Sequence, residues 1–214
     1  MEAAQEPLLE AEDVAKTYIH QDNPVETLYQ YRNAKQLRAD NPDRSRASIA
    51  REVGRPSSVV RGWLVESKRP VVVKAIDTLK ERNLVPLYSD DRVFPAINHL
   101  VAWIYAGGSI IADTYQPSFS LDEVIHRPIL AQALSTLDLG YERVQKGTNK
   151  YEFDPGLEIR PTPGPAIGRV LHALGAPTGK KTGQDYTLPS YLGKIAPEDQ
   201  RAFARVYLLR IASE

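Results

Sequence analysis

The sequence predicts an α+β protein: an all-helical helix-turn-helix domain followed by a domain ordered α-β-β-α-β-β-α. Three observations carry that expectation. Residues 24–82 hold only helix-period apolar patterns, punctuated by capping residues and prolines. Beyond Leu87, short alternating stretches are interleaved with helical ones. The formal net charge is zero, yet residues 28–83 carry thirteen Lys/Arg against six Asp/Glu, while residues 1–27 carry seven acids and one lysine. A basic segment inside a neutral chain marks a polyanion-binding module, with a plain solvated helical surface as the alternative.

Composition bounds the rest. With 214 residues, the chain can bury one large core or two small ones. Its 42% hydrophobic and 25% charged residues are ordinary for a globular protein. No apolar run approaches the roughly 18 residues a membrane span needs, so no membrane association is expected. The acidic opening M-E-A-A-Q-E-P-L-L-E has no basic flank and is not expected to act as a secretory signal. Without cysteine there are neither disulfides nor thiolate metal sites, which fits a cytoplasmic protein, nucleoid-associated in a prokaryote.

Element by element, residues 1–23 read as an acidic arm, disordered or loosely helical, with one weak apolar pattern (Leu8, Leu9, Val14, Tyr18). The helix-turn-helix domain is expected over 24–88. Asn23-Pro24 starts a helix that Asn41-Pro42 stops. Ser45 caps a second helix running through Val53, and Gly54 breaks it. Ser57 or Ser58 caps a third, and Val71–Arg82 forms a fourth. The second domain is expected over 92–214. It holds a strongly apolar helix at Ile97–Ala106, helices at 124–137, 166–174 and 197–211, and strands at 116–121, 141–145 and 150–154.

The run S-R-A-S-I-A-R-E-V-G-R-P-S-S-V-V-R-G-W-L has the spacing of a helix-turn-helix. Two helices crossing steeply need a small residue at the contact, here Ala50. The turn needs a residue that tolerates positive φ, here Gly54. Ile49, Val53, Val60 and Trp63 then supply the inner face. The outer face of such a second helix enters the major groove, which makes Arg55, Ser57, Ser58, Arg61 and Gly62 candidate base readers. Arg61 is the first candidate for bidentate reading of guanine. A helix cap is the alternative role for both serines, of equal standing with base reading for Ser57. Arg44, Arg46, Lys68 and Arg69 flank the motif as candidate phosphate contacts. A helical bundle that does not bind DNA is the alternative.

The stretch L-V-A-W-I-Y-A-G-G-S-I (Leu100–Ile110) resembles the signature of LAGLIDADG homing endonucleases. So do P-S-F-S-L, I-L-A-Q-A-L-S-T-L, G-Y-E-R-V-Q-K-G-T-N-K-Y-E-F and L-G-A-P-T-G-K-K-T-G-Q-D-Y-T-L-P-S-Y-L in the order they follow. The resemblance covers roughly residues 92–214. It implies a concave antiparallel sheet facing DNA and signature helices packed back to back. Strand alternation would put Phe119, Leu121, Val144, Tyr151 and Phe153 towards the helices. Gln116, Ser118, Ser120, Tyr141, Arg143, Gln145, Lys150 and Glu152 would lie on the other face, with Arg143, Gln145 and Lys150 as the candidate DNA-facing cations and amide. An ordinary solvated sheet face is the alternative.

The family's metal-binding acid precedes the final glycine of the signature, and Gly107 stands there in this chain. Leu209, Arg210 and Ile211 fill the place of a second one. A divalent ion needs a carboxylate. A degenerate, non-catalytic domain is therefore expected, with no metal, no cofactor and no catalytic residue. Ala102, Ala106, Gly107 and Gly108 would admit a closely packed helix, either residues 198–211 or the equivalent helix of a second subunit in a homodimer. The expectation is a sequence-specific double-stranded-DNA-binding protein, a transcriptional regulator. A metal-dependent homing endonuclease is the runner-up, and a protein–protein adaptor the third reading. Gly175–Thr182 lacks phosphate-loop spacing, and His20, His99, His126 and His172 lack ligand spacing.

Overall fold

A computed structural model describes residues 5–121, 126–145, 157–181 and 185–211, with the side chains of His126, Arg210 and Ile211 excepted. The protein is mixed α+β, with nine α-helices among the described residues and one four-stranded antiparallel sheet. Its contacts divide it into two compact units: a helical unit, Ala11–Glu81, and a mixed unit formed by Met1–Glu10 with Arg82–Glu214.

The helical unit contains α1 (Ala11–Lys16), α2 (Pro24–Asp40), α3 (Arg46–Glu52), α4 (Ser57–Leu64) and α5 (Val71–Glu81). The acidic segment expected as an arm is partly built into this unit. Val14 and Ala15 of α1 are fully buried, and α1 packs on α2 and α5. Helix α2 begins at Pro24, whose missing N–H is no loss in a first turn. Its buried positions are Leu28, Tyr31 and Ala34, one stripe at a spacing of three. The Ser45 hydroxyl accepts from the Ser48 N–H at 3.2 Å and caps α3. Gly54 takes φ +67°, the left-handed turn between α3 and α4. The Ser57/Ser58 cap does not form. The N-cap of α4 is Pro56, without a side-chain hydrogen bond, and both serines lie inside the helix. Val60 and Trp63 are buried as expected, and Trp63 meets Tyr31 edge-on with ring centroids 5.6 Å apart.

In the mixed unit, α6 (Phe94–Ala106) is the axis of the core. Leu100, Val101, Ala102, Trp103 and Ile104 are 0–1% exposed, as befits a helix apolar on all sides. Around it come β1 (Ser109–Ile110), β2 (Pro117–Ser120), α7 (His126–Thr136), β3 (Gly140–Gln145), β4 (Leu157–Thr162), α8 (Gly164–Ala173) and α9 (Pro197–Ile211). The sheet order is β1-β2-β4-β3. The chain enters this unit through an isolated antiparallel bridge between Leu9 and Leu87, both buried. The expected 150–154 strand lies outside the described residues.

Helix α9 packs against α6 within the same chain. Tyr105 and Phe203 meet edge-on with centroids 6.0 Å apart. The buried Asn98 amide donates to the Asp199 carbonyl at 2.9 Å and accepts from the Tyr191 hydroxyl at 2.8 Å. Helical spacing puts Ala102 between Asn98 and Tyr105 on this face. The chain's own last helix thus packs on the Asn98–Tyr105 side of α6, whereas Gly108 faces β2, where a Cβ would lie 3.0 Å from the Ser118 carbonyl oxygen.

On the other side, α8 approaches the 115–117 segment so closely that a Cβ on Gly168 would lie 1.7 Å from the Tyr115 carbonyl oxygen. Arg169, one residue on, stacks over the Tyr115 ring at 3.9 Å.

Candidate nucleic-acid interface

The turn made by Gly54 brings the start of α4 beside the start of α3 and the end of α2. The result is an open cleft of about 740 Å³ lined by Arg38, Asp43, Arg44, Ser45, Arg46, Ala47, Ser57, Ser58 and Arg61. Four arginines and one aspartate thus line a single concavity. Five expected site residues meet here: Arg44 and Arg46 from the phosphate set, and Ser57, Ser58 and Arg61 from the reading set.

Their availability differs. Arg46, Ser57, Ser58 and Arg61 are exposed, whereas Arg44 is half-buried, bonded to the Ser48 hydroxyl at 3.3 Å and ion-paired with Glu52. Arg61 makes an ion pair with Glu66 at 3.2 Å, its side chain 61% exposed. Glu66 also meets Lys68 at 2.8 Å. The Lys68 hydrogen bond and charge, with Arg61 adding to them, hold the Glu66 carboxyl below the usual carboxylate range. Exposed pairs of this kind are screened by water and weak, so they do little to fix the two cations in place.

Two expected base readers stand elsewhere. Arg55 turns inward: its Nη2 donates to the Thr27 hydroxyl at 2.8 Å and its Nε to Gln30, both on α2. The left-handed Gly54 swings the chain before α4 begins, so residue 55 faces α2 rather than the cleft. Gly62 is buried. The chain reverses after α4, the Lys68 N–H donates to the Gly62 carbonyl at 2.9 Å, and the Lys68 stem covers the position a Cβ would take, 3.5 Å away. Lys68 and Arg69 lie in that reversal and do not line the cleft. Arg69 pairs with Asp77 of α5 at 3.0 Å.

Arg38 was absent from the expected set. Its Nη1 donates to the Pro42 carbonyl at 2.6 Å, which holds it over the α2–α3 connection. The signal was a basic residue in the last turn before Asn41-Pro42, because so short a connection delivers that turn to the start of α3.

The sheet does not present the polar face that alternation alone suggested. Pairing sets Phe119 opposite Ile159 and Ile159 opposite Arg143, so those three share a face, with Tyr141 and Gln145 beside them. Ser118 and Ser120 lie on the opposite face and are buried, at 5% and 7% exposure. The Ser118 hydroxyl donates to Glu158 at 2.6 Å, and Val144, expected towards the helices, pairs with Glu158 on that same side. Arg143 and Gln145 are exposed, and Lys150 lies outside the described residues.

At the end of α6, Gly107 and Gly108 lead directly into β1. Among the described residues, no three His, Asp or Glu side chains come close enough to hold a metal ion. Lys181 of the Gly/Lys-rich loop donates to the Ile104 carbonyl in the last turn of α6. His172 contacts the Ala176 carbonyl at 2.9 Å. No helix is long and apolar enough to cross a membrane among the described residues. No family model, curated protein or solved structure matches the chain.

Proposed function

We propose that the protein binds double-stranded DNA through the α2–α3–α4 cleft and acts as a sequence-specific, non-catalytic transcriptional regulator. The observation that carries this is the gathering of Arg38, Arg44, Arg46 and Arg61 with the exposed Ser57 and Ser58 in one concavity. Guanidinium groups on a helix-turn-helix serve two tasks that other side chains do poorly: they neutralise phosphates, and they bind a guanine edge by two parallel hydrogen bonds. Arg61, on the exposed face of α4, is the reader; Ser57 and Ser58 meet base edges or sugar; Arg38 and Arg46 hold the backbone. Arg55 and Gly62 position α4 and do not read.

The mixed unit, in the same proposal, is a degenerate relative of the LAGLIDADG homing-endonuclease domain. Supporting it are the order α6-β1-β2-α7-β3-β4-α8 and the packing of α6 against α9. Since α9 packs on the Asn98–Tyr105 side of α6, a homodimer on a two-half DNA site would form through another surface.

Selection of bound sites from a random duplex pool tests the proposal. The expected result is a short enriched site whose loss of enrichment at one or two guanines follows Arg61→Ala. Recovery of no common site would sink sequence specificity. Nicking of a supercoiled plasmid with Mg²⁺ or Mn²⁺, abolished by a chelator, would overturn the non-catalytic reading in favour of the endonuclease.

A further inference from the structure

We infer that the mixed unit binds a small monocarboxylate with an apolar body in the cavity between α7 and the sheet. The cavity has a volume of about 160 Å³. A cavity of about 150 Å³ lined by aliphatic and aromatic groups accepts benzene, so the fit is to a body of roughly six to eight carbons.

Its floor and its rim differ in chemistry. Leu130 and Leu134 of α7 and Ile159 of β4 form an apolar floor, each under 5% exposed. Arg127, from the first turn of α7, and Arg143, from β3, line the rim together with Tyr141. The pairing register puts Arg143 directly opposite Ile159, which is why a cation stands over an apolar floor on the α7 side of the sheet. The Arg143 guanidinium lies 6.0 Å from the centre of the Tyr141 ring, a contact that keeps it at the mouth. Among the described residues neither Arg127 nor Arg143 has a carboxylate partner.

A hydrocarbon would fill the floor and leave two guanidinium groups unused; a small inorganic anion would use the guanidinium groups and leave the floor wet. One molecule satisfies both when a carboxylate caps an apolar body, because the guanidinium fork matches the two carboxylate oxygens. The inference is independent of the DNA-binding proposal and survives its failure.

Titration of the full chain with benzoate and octanoate, followed by heteronuclear NMR, tests it, with benzyl alcohol and acetate as the arms lacking the charge or the body. The expected result is saturable binding of at least one acid, with a dissociation constant below about 1 mM, an ordinary efficiency for so small a ligand. Benzyl alcohol and acetate should bind at least tenfold more weakly. Arg127→Gln and Arg143→Gln should each weaken the acid at least tenfold. Ala131→Trp, at an exposed position on the cavity edge, should abolish binding without touching the buried face of α7. Circular dichroism establishes that each variant folds, and the two arginine variants decide the matter if Ala131→Trp does not. Absence of saturable binding by either acid, equal binding of benzyl alcohol, or acid binding within threefold of wild type in both arginine variants would overturn the inference.

Discussion

Replacing Arg55 separates positioning from reading. The side chain ties the start of α4 to α2 through Thr27 at 2.8 Å and through Gln30. A hydrogen bond to a charged group contributes about 1.5–3 kcal/mol when well buried. These two are only part-buried, so water replaces much of what is lost, and Arg55→Ala should cost about 1–3 kcal/mol for both together. In a domain of roughly 60–100 residues each kcal/mol moves the midpoint by about 4–8 °C. The helical unit of Arg55→Ala should therefore melt about 4–24 °C lower, read by circular dichroism at 222 nm. At a temperature where it is still folded, its affinity for duplex DNA should stay within about threefold of wild type, because no phosphate or base contact is removed. An unchanged midpoint together with a tenfold loss of affinity would refute the reasoning and return Arg55 to the reading face.

Three further outcomes follow from the packing. Gly168→Ala should destabilise the mixed unit by at least about 1–3 kcal/mol, since its methyl would meet the Tyr115 carbonyl at 1.7 Å; a melting midpoint equal to wild type contradicts that approach. Gly54→Ala, forced into φ +67°, should cost about 1–2 kcal/mol in the helical unit, and a neutral result would mean that the turn relaxes. Burial holds the His99 imidazole below its ordinary 6.5, with Asp199 opposing the shift. The unfolded chain then takes up the proton first, so this contribution is whole above about pH 6.5 and is lost as the pH falls through the folded value. Midpoints should accordingly drop between pH 7.5 and 5.5, and His99→Gln should flatten the drop. Asp199, raised chiefly by burial and then by Glu198, contributes in the opposite sense, and its part is lost as the pH rises through its own folded value.

Much of the helical unit was legible because its punctuation is local. Pro24, Ser45, Gly54 and the prolines at 42 and 70 each act on the backbone within a turn, and the buried stripe of α2 follows from spacing alone. What the sequence concealed depends on partners distant along the chain. Val14 and Ala15 look weakly apolar until α2 and α5 cover them, and Leu9 joins the mixed unit only by meeting Leu87. Strand β4 was missed because Pro161 and Pro163 argue against a central strand, yet Pro161 sits at its end, beyond the β2 pairing. The faces of Ser118 and Arg143 were misjudged for a related reason. Alternation fixes sides within one strand, whereas register between strands decides which strands' sides coincide. That Arg44, Arg46, Ser57, Ser58 and Arg61 share one cleft follows from motif spacing. That Arg55 and Gly62 stand outside it does not, since their environments come from α2 and from the reversal after Leu64.

The central claim is that the α2–α3–α4 cleft holds DNA, and salt dependence of binding reaches it most directly. Anisotropy of a labelled duplex of about 30 base pairs should show the full chain binding more weakly as salt rises from roughly 50 to 200 mM. Each phosphate neutralised adds about −0.9 to the slope of log affinity against log salt. If Arg38, Arg46 and Arg61 all reached phosphates the loss would be about 2.7; with Arg61 on a base edge, Arg38→Gln/Arg46→Gln/Arg61→Gln should make the slope shallower by about 1.8 and weaken binding at least tenfold. A triple variant with the wild-type slope and affinity, or a wild-type chain that binds no duplex at the lower salt, would contradict the account.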